Sequence, residues 1–269
     1  MGNKLVEALS AVTSTTVDIA TDILVMNFRV VTACFLGEPN GAHWVLVDTG
    51  LENSADFILE EAEKRYGKSC PDAIILTHGH FDHVGSAIKL SNHWNVPVYI
   101  HELELPYITG KKDYPLADSS VDEGMVAKMS PTFPHTSINL GLKAKALPKN
   151  GTIPGMKDWK WIHTPGHTVG HVSLYRESDS ILIAGDAIST TKQESLLSVI
   201  LQSEKISGPP KYLTENWKIS EITIKHLRDL KPSLLIPSHG KPLGGKELEY
   251  HLNMLVDDFN VKVIPNNKN

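Results

Sequence analysis

Cysteine is almost missing from this sequence: Cys34 and Cys70 are the only two in 269 residues. Two thiols make no disulfide framework, and these two sit in no metal-binding spacing, so both are expected to be buried and free. Long apolar runs are missing too. None approaches the ~20 residues of a membrane span, so no membrane partner is expected. There is no excess of basic charge: 26 Lys and Arg stand against 31 Asp and Glu, a net −5, which argues against nucleic acid as a partner. Met1 to Thr16 lacks the apolar core of a secretory signal. Met1-Gly2-Asn3 is not read as a lipidation signal, because position 6 is Val6. The expected location is therefore the cytoplasm. No repeat, low-complexity linker or domain boundary is visible, so a single domain over 1–269 is expected, and a homodimer is left open.

What is present is an ordinary globular composition, 41% hydrophobic and 21% charged, in a chain long enough to bury a sizeable core. Its 13 histidines are unevenly spread. Thr77-His78-Gly79-His80-Phe81-Asp82-His83 follows the apolar run Ala73-Ile74-Ile75-Leu76, read as a buried strand. It precedes Val84 to Trp94, where Val84, Ala87 and Ile88 have helical spacing. Residues i and i+2 of an extended segment point the same way, so His78 and His80 can share one metal. Asp82 and His83 lie past the bend, which suits a second metal. Gly79 and Gly85 are read as relieving crowding where the backbone turns.

The rest of the chain supports an α/β class. Asp22 to Phe35 and Ala42 to Val47 read as a hairpin around Gly37 to Gly41, ending in Asp48-Thr49-Gly50. Ala55, Ile58, Leu59, Ala62 and Tyr66 share a helical face that stops at Gly67. Val96 to Ile100 is a further strand, completing a β-α-β-α-β run. Residues 104–157 are irregular and rich in proline and glycine. Trp159 to Ile162 resumes strand character, and Val172 to Leu174 with Ile181 to Ala184 reads as a second hairpin. Residues 187–213 form another loop-rich stretch, with the apolar patch Leu196–Leu201. A helix over Ile219 to Leu230, a strand at Leu234 to Ile236 and an amphipathic helix from Leu248 to Phe259 complete the pattern.

Three more ligand candidates stand at or just past predicted strand ends. His167 lies in Thr164-Pro165-Gly166-His167-Thr168, Asp186 ends Ile181 to Gly185, and His239 follows Leu234 to Ser238. With Asp48-Thr49-Gly50 and the His78-to-His83 motif, these segments resemble the metallo-β-lactamase superfamily of binuclear metallohydrolases, in its order and over residues 48–240. The resemblance implies an αββα sandwich, two mixed β-sheets packed face to face with helices outside. It assigns one metal to His78, His80 and His167, a second to Asp82, His83 and His239, and the bridge to Asp186.

Imidazole and carboxylate donors suit Zn²⁺, with Fe or Mn as alternatives, so two divalent ions are expected. A metal-bridging hydroxide is then expected to attack a small-molecule substrate, an ester, lactone or thioester, with Asp82 as a catalytic residue. Two other members of the superfamily stay open as readings, a mononuclear-iron persulfide dioxygenase and a phosphodiesterase. Asp186 stands where some zinc β-lactamases have cysteine, and the short tail after His239 disfavours a glyoxalase II with its C-terminal helical domain. Acyl-homoserine lactonases place a tyrosine three residues after the bridging aspartate, where this chain has Ser189. Asp48 is read evenly as an orienting partner of a ligand imidazole or as a strand-end turn. His163 and His171, and the remaining histidines, are read as structural or surface groups. The loop-rich stretches 104–157 and 187–213 are expected to wall the site with apolar groups, among them Tyr107, Ile108, Tyr114, Met125 and Leu196.

Overall fold

The computed structural model describes residues 14–195 and 206–265. The Leu196–Leu201 patch, Lys205 and the first thirteen residues lie outside them. Two mixed β-sheets flanked by helices make up the fold. The chain divides into two compact units, one formed by residues up to 114 and by 134–157, the other by 115–133 and 158 onwards.

The first unit holds a seven-stranded sheet in sequential order, β1-β2-β3-β4-β5-β6-β7. Its strands are β1 (Thr15–Ala20), β2 (Ile23–Asn27), β3 (Thr32–Leu36), β4 (Val45–Val47), β5 (Ala73–Ile75), β6 (Val98–Ile100) and β7 (Ala144–Ala146). The stretch Asp22 to Phe35, read as one arm of a hairpin, is itself a hairpin of β2 and β3. Asn27 closes its turn by accepting the Arg29 N–H on its side-chain oxygen at 2.7 Å, and Arg29 adopts φ 68°. An asparagine capping its own turn is the local signal for this break.

From β4 onward the neighbours are parallel, so connections must cross over, and helices carry them. Helices α1 (Ala55–Tyr66) and α3 (Ala87–Trp94) pack on the sheet through Ile58, Ala62, Ala87 and Leu90, against Phe35, Leu46, Ile74 and Val98. The alternate strand residues Cys34, Val45, Val47 and Ile75 are buried as well. Burial on both faces explains the continuous apolar runs in place of alternation. Trp44 stacks on Tyr66 at 4.2 Å and meets Phe35 edge-on at 5.2 Å. Of the two cysteines, Cys34 is buried in β3, and burial pushes its thiol well above the ordinary range. Cys70 is exposed instead of buried, because it lies in the turn just past the α1 stop at Gly67.

The second sheet has six strands in the order β13-β12-β11-β10-β9-β8. Here β8 is Thr152–Ile153, β9 Met156–His163, β10 Val172–Arg176, β11 Ile181–Gly185, β12 Leu234–Pro237 and β13 Leu243–Gly244. In the second unit, α6 (Trp217–Asp229), α7 (Gly245–Asp257) and α8 (Phe259–Lys262) cover this sheet. They bury Ile224, Leu227, Leu248, Leu252 and Phe259 against Leu182, Ala184 and Leu235. Asn216 caps α6, its side-chain oxygen accepting the Ile219 N–H at 3.1 Å, a common N-terminal device. The irregular stretch after residue 104 contains two short helices, α4 (Leu105–Ile108) and α5 (Met125–Met129), too brief to leave a periodic trace. Among the described residues no helix is long and apolar enough to cross a membrane.

Candidate functional site

In the first unit the expected ligands follow the C-terminal ends of parallel strands. β4 and β5 pair Val47 with Ile75, which sets Asp48 beside the Thr77-to-His83 loop. The loop enters a single helical turn, α2 (Phe81–Val84), through an extended His80. His78, His80, Asp82 and His83 are all buried. His78 Nε2 and His80 Nδ1 are 2.9 Å apart, and the His78 and His83 rings lie 4.1 Å apart. Asp82 Oδ1 is 3.9 Å from His83 Nε2.

The hydrogen-bond network decides which nitrogens carry protons. Thr77 Oγ1 donates its one proton to Asp48 Oδ2 at 2.8 Å, so at 3.1 Å from His78 Nδ1 it accepts. His78 is thereby held as the Nδ1–H tautomer, with the Nε2 lone pair turned to His80. His83 Nδ1 donates to Asp48 Oδ2 at 2.8 Å, and its Nε2 lone pair is left on the Asp82 side. Asp48 also accepts the Thr77 N–H at 2.8 Å, and the His83 carbonyl accepts from Thr49 Oγ1 at 2.7 Å. Asp48, with φ 57°, therefore orients a candidate ligand as well as ending a strand. That is how ligand imidazoles are usually held.

In the second unit, β11 and β12 run parallel and pair Gly185 with Pro237. This register sets Asp186 and His239 side by side at adjacent strand ends. His167 sits in the loop between β9 and β10, whose ends pair His163 with Val172. Asp186 is the meeting point: its carboxylate oxygens lie 3.2 Å from His167 Nε2 and 3.2 Å from His239 Nε2. Thr214 Oγ1 donates to the Pro210 carbonyl at 2.7 Å and so accepts from His167 Nδ1 at 3.1 Å. In the neutral ring His167 Nε2 is then the nitrogen without a proton, and it faces a carboxylate. Gly240 follows His239 with φ 108°, and a Cβ there would stand 2.3 Å from Thr190 Oγ1, so the turn demands glycine.

His171, read from the sequence as structural, braces this cluster from behind. Its Nε2 accepts the Asp186 backbone N–H at 2.9 Å, and its Nδ1 is 2.8 Å from Thr164 Oγ1. His163 stays on the surface, its Nε2 3.0 Å from the Val169 carbonyl. His43 pairs with Asp72 at 3.1 Å and His101 caps a turn by accepting the Leu103 N–H. Thr77, Thr164 and Thr214 are hydrogen-bond partners of these histidines that the sequence does not single out. Thr214 had no local signal, since it lies 47 residues from His167.

In the neutral ring the His167 Nε2 lone pair faces the Asp186 carboxylate, and a cation between them would turn repulsion into attraction. The donor set therefore fits divalent metal ions, and the described residues contain His and Asp groups that could hold one.

The chain belongs to the metallo-beta-lactamase superfamily, whose family model matches residues 27–239, and it is a metallohydrolase of that family. It is 42% identical over 234 residues to the probable metallo-hydrolase YflN of Bacillus subtilis, covering 86% of this chain and 89% of that one. It is 26% identical over 117 residues to the hydroxyacylglutathione hydrolase GloC of Haemophilus influenzae, covering 43% and 49% of the two chains. A solved metallo-beta-lactamase from Pontibacter korlensis shares the fold, with a TM-score of 0.61 over 93% of this chain and 100% of that one at 16% identity.

Asp48→Asn is expected to weaken metal binding by about 10–100-fold. An amide has one acceptor oxygen and cannot take the Thr77 N–H at one position and the His83 Nδ1–H at the other, so His83 is released to the Nε2–H tautomer, which cannot ligate through Nε2. Chelator competition measures this, and unchanged affinity would reduce Asp48 to a strand-end turn.

Proposed function

We propose that this protein is a metal-dependent hydrolase of a small ester, lactone or thioester. In this reading His78, His80 and His167 would hold one divalent ion, Asp82, His83 and His239 would hold a second, and Asp186 would serve both. The single observation that supports it best is the hydrogen-bond pattern: Nδ1 of His78, His83 and His167 each faces an oxygen, which in the neutral ring leaves Nε2 as the donor atom for a metal. Zinc is the metal best suited to these donors, with Fe or Mn as alternatives.

When bound, two such ions supply Lewis acidity and lower the pKa of a shared water toward ~7. The chain's own residues hold and orient. Asp48 and Thr77 keep the imidazoles in their binding tautomers. Asp82 contributes negative charge on the second ion's side and orients the attacking water, its role as a catalytic residue. Asp186, fixed by His171, presents both carboxylate oxygens.

The substrate class is inferred from the neighbouring side chains. Tyr114 lies against His80 at 4.4 Å and stacks on Tyr107 at 3.9 Å, an aromatic surface next to the ligand loop. Two of the basic groups in these stretches are paired, Lys128 with Glu123 at 2.9 Å and Lys192 with Asp122 at 3.0 Å, while Lys112 Nζ stands 5.0 Å from the Tyr107 centroid. Aromatic surroundings without a dense cluster of basic groups favour an acyl substrate over a polyanionic phosphate. The GloC relative, a hydrolase of hydroxyacylglutathione, is consistent with that class. Ile108 is part of the sheet core and Met125 is exposed, so neither is counted as a wall.

Each added acyl CH₂ is expected to raise kcat/KM by a factor of about 4, from ~0.8 kcal/mol per buried methylene, until the pocket fills. The measurement is kcat/KM over an acyl-length series beside a phosphodiester of similar size. A flat series, or preference for the phosphodiester, would move the protein to the phosphodiesterase branch.

A further inference from the structure

Glu104 is completely buried, and Tyr114 nearly so. A carboxylate is costly to bury unless it is hydrogen-bonded, and here the Tyr114 hydroxyl donates to Glu104 Oε2. The same hydroxyl oxygen accepts the backbone N–H of Gly79 at 3.0 Å. Gly79 is the residue between His78 and His80. The hydrogen-bond chain therefore runs from a buried anion, through a phenol, to the peptide that links two proposed ligands.

The surroundings fit this chain closely. A Cβ on Gly79 would stand 2.8 Å from Tyr114 Oη, so the glycine serves close approach of the phenol, not the turn itself. The Tyr114 ring is held flat on Tyr107, at 3.9 Å and 8°, with Lys112 Nζ 5.0 Å from the Tyr107 centroid. The Tyr114 backbone N–H donates to the His135 carbonyl at 3.0 Å. The ring stack and the backbone bond thus restrain where the hydroxyl sits, and the ring itself lies against His80.

We infer that Glu104 and Tyr114 are positioning residues for the first metal: through the Gly79 N–H they fix the His78-Gly79-His80 peptide so that both imidazoles face one ion. This rests on the reading of His78 and His80 as ligands. Tyr114 acts as a rigid strut, and Glu104 keeps its hydroxyl hydrogen pointed away, so that the oxygen lone pair stays turned to Gly79.

The test uses the full chain with Zn²⁺ alone as probe, its affinity read by chelator competition, and Co²⁺ absorption as a signature of ligand geometry. Tyr114→Phe keeps the ring stack and removes only the hydroxyl. It is expected to weaken Zn²⁺ binding by about 10–100-fold and to change the Co²⁺ spectrum. Glu104→Gln retains an acceptor oxygen and is expected to stay within about threefold of wild type. Wild-type affinity in Tyr114→Phe, even with a lowered melting temperature, would overturn the inference and leave a purely structural tyrosine. A Glu104→Gln loss as large as that of Tyr114→Phe would overturn the acceptor role of Glu104. If the wild type bound no Zn²⁺, or His80→Ala bound it unchanged, the ligand reading itself would fall, and the inference with it.

Discussion

Asp82→Asn is expected to lower kcat by about 100-fold or more while shifting the melting temperature of the metal-free protein by only about 2–4 °C. Asparagine has nearly the same shape but no charge. On the proposed assignment it removes an anionic donor from the second ion and the group that orients water, a loss felt at the reacting centre. The fold has little stake in this side chain. Asp82 sits in a one-turn helix, whereas stability comes from the two helix-on-sheet cores built around residues such as Phe35, Ile58 and Ile74, and Leu182, Leu227 and Leu252. Metal-free forms are compared because bound metal stabilises by mass action, which would mix lost affinity with lost packing. The measurements are kcat, metal content and melting temperature of both proteins. Near-normal turnover at full occupancy would show that Asp82 has been given the wrong role.

Removing the metals with a chelator is expected to abolish hydrolysis and to lower the melting temperature by roughly 5–10 °C, with both restored by Zn²⁺. The shift follows from about 2.7 kcal/mol of binding linkage at a hundredfold excess over Kd, at 2–4 °C per kcal/mol. The physical cause is visible at Asp186. Its oxygens stand 3.2 Å from His167 Nε2 and His239 Nε2, a set of donor atoms that a bound cation would draw together. Secondary structure should persist in the metal-free protein, because strands and helices are held by their own hydrogen bonds and cores. Calorimetry and far-ultraviolet circular dichroism separate the two effects. Full activity after verified removal of metal would sink the hydrolase mechanism proposed here.

The sequence by itself determined the family and the candidate ligands. His78, His80, Asp82 and His83 are packed into one loop, while His167, Asp186 and His239 each follow an apolar strand, and such local patterns survive in one dimension. Helix α1 and its stop at Gly67 were legible for the same reason, since a 3.6-residue period and a glycine end are short-range signals. The tertiary structure alone decided what makes these side chains donors. The proton on His83 is settled by Asp48, 35 residues away, and that on His167 by Thr214, 47 residues away. The Gly79 peptide is held by Tyr114, also 35 residues away. A hydroxyl or phenol making one such bond leaves no periodicity and no composition signal. Its partner is chosen by strand register and loop packing, so it becomes readable only once the chain has folded and every buried proton has been given a place.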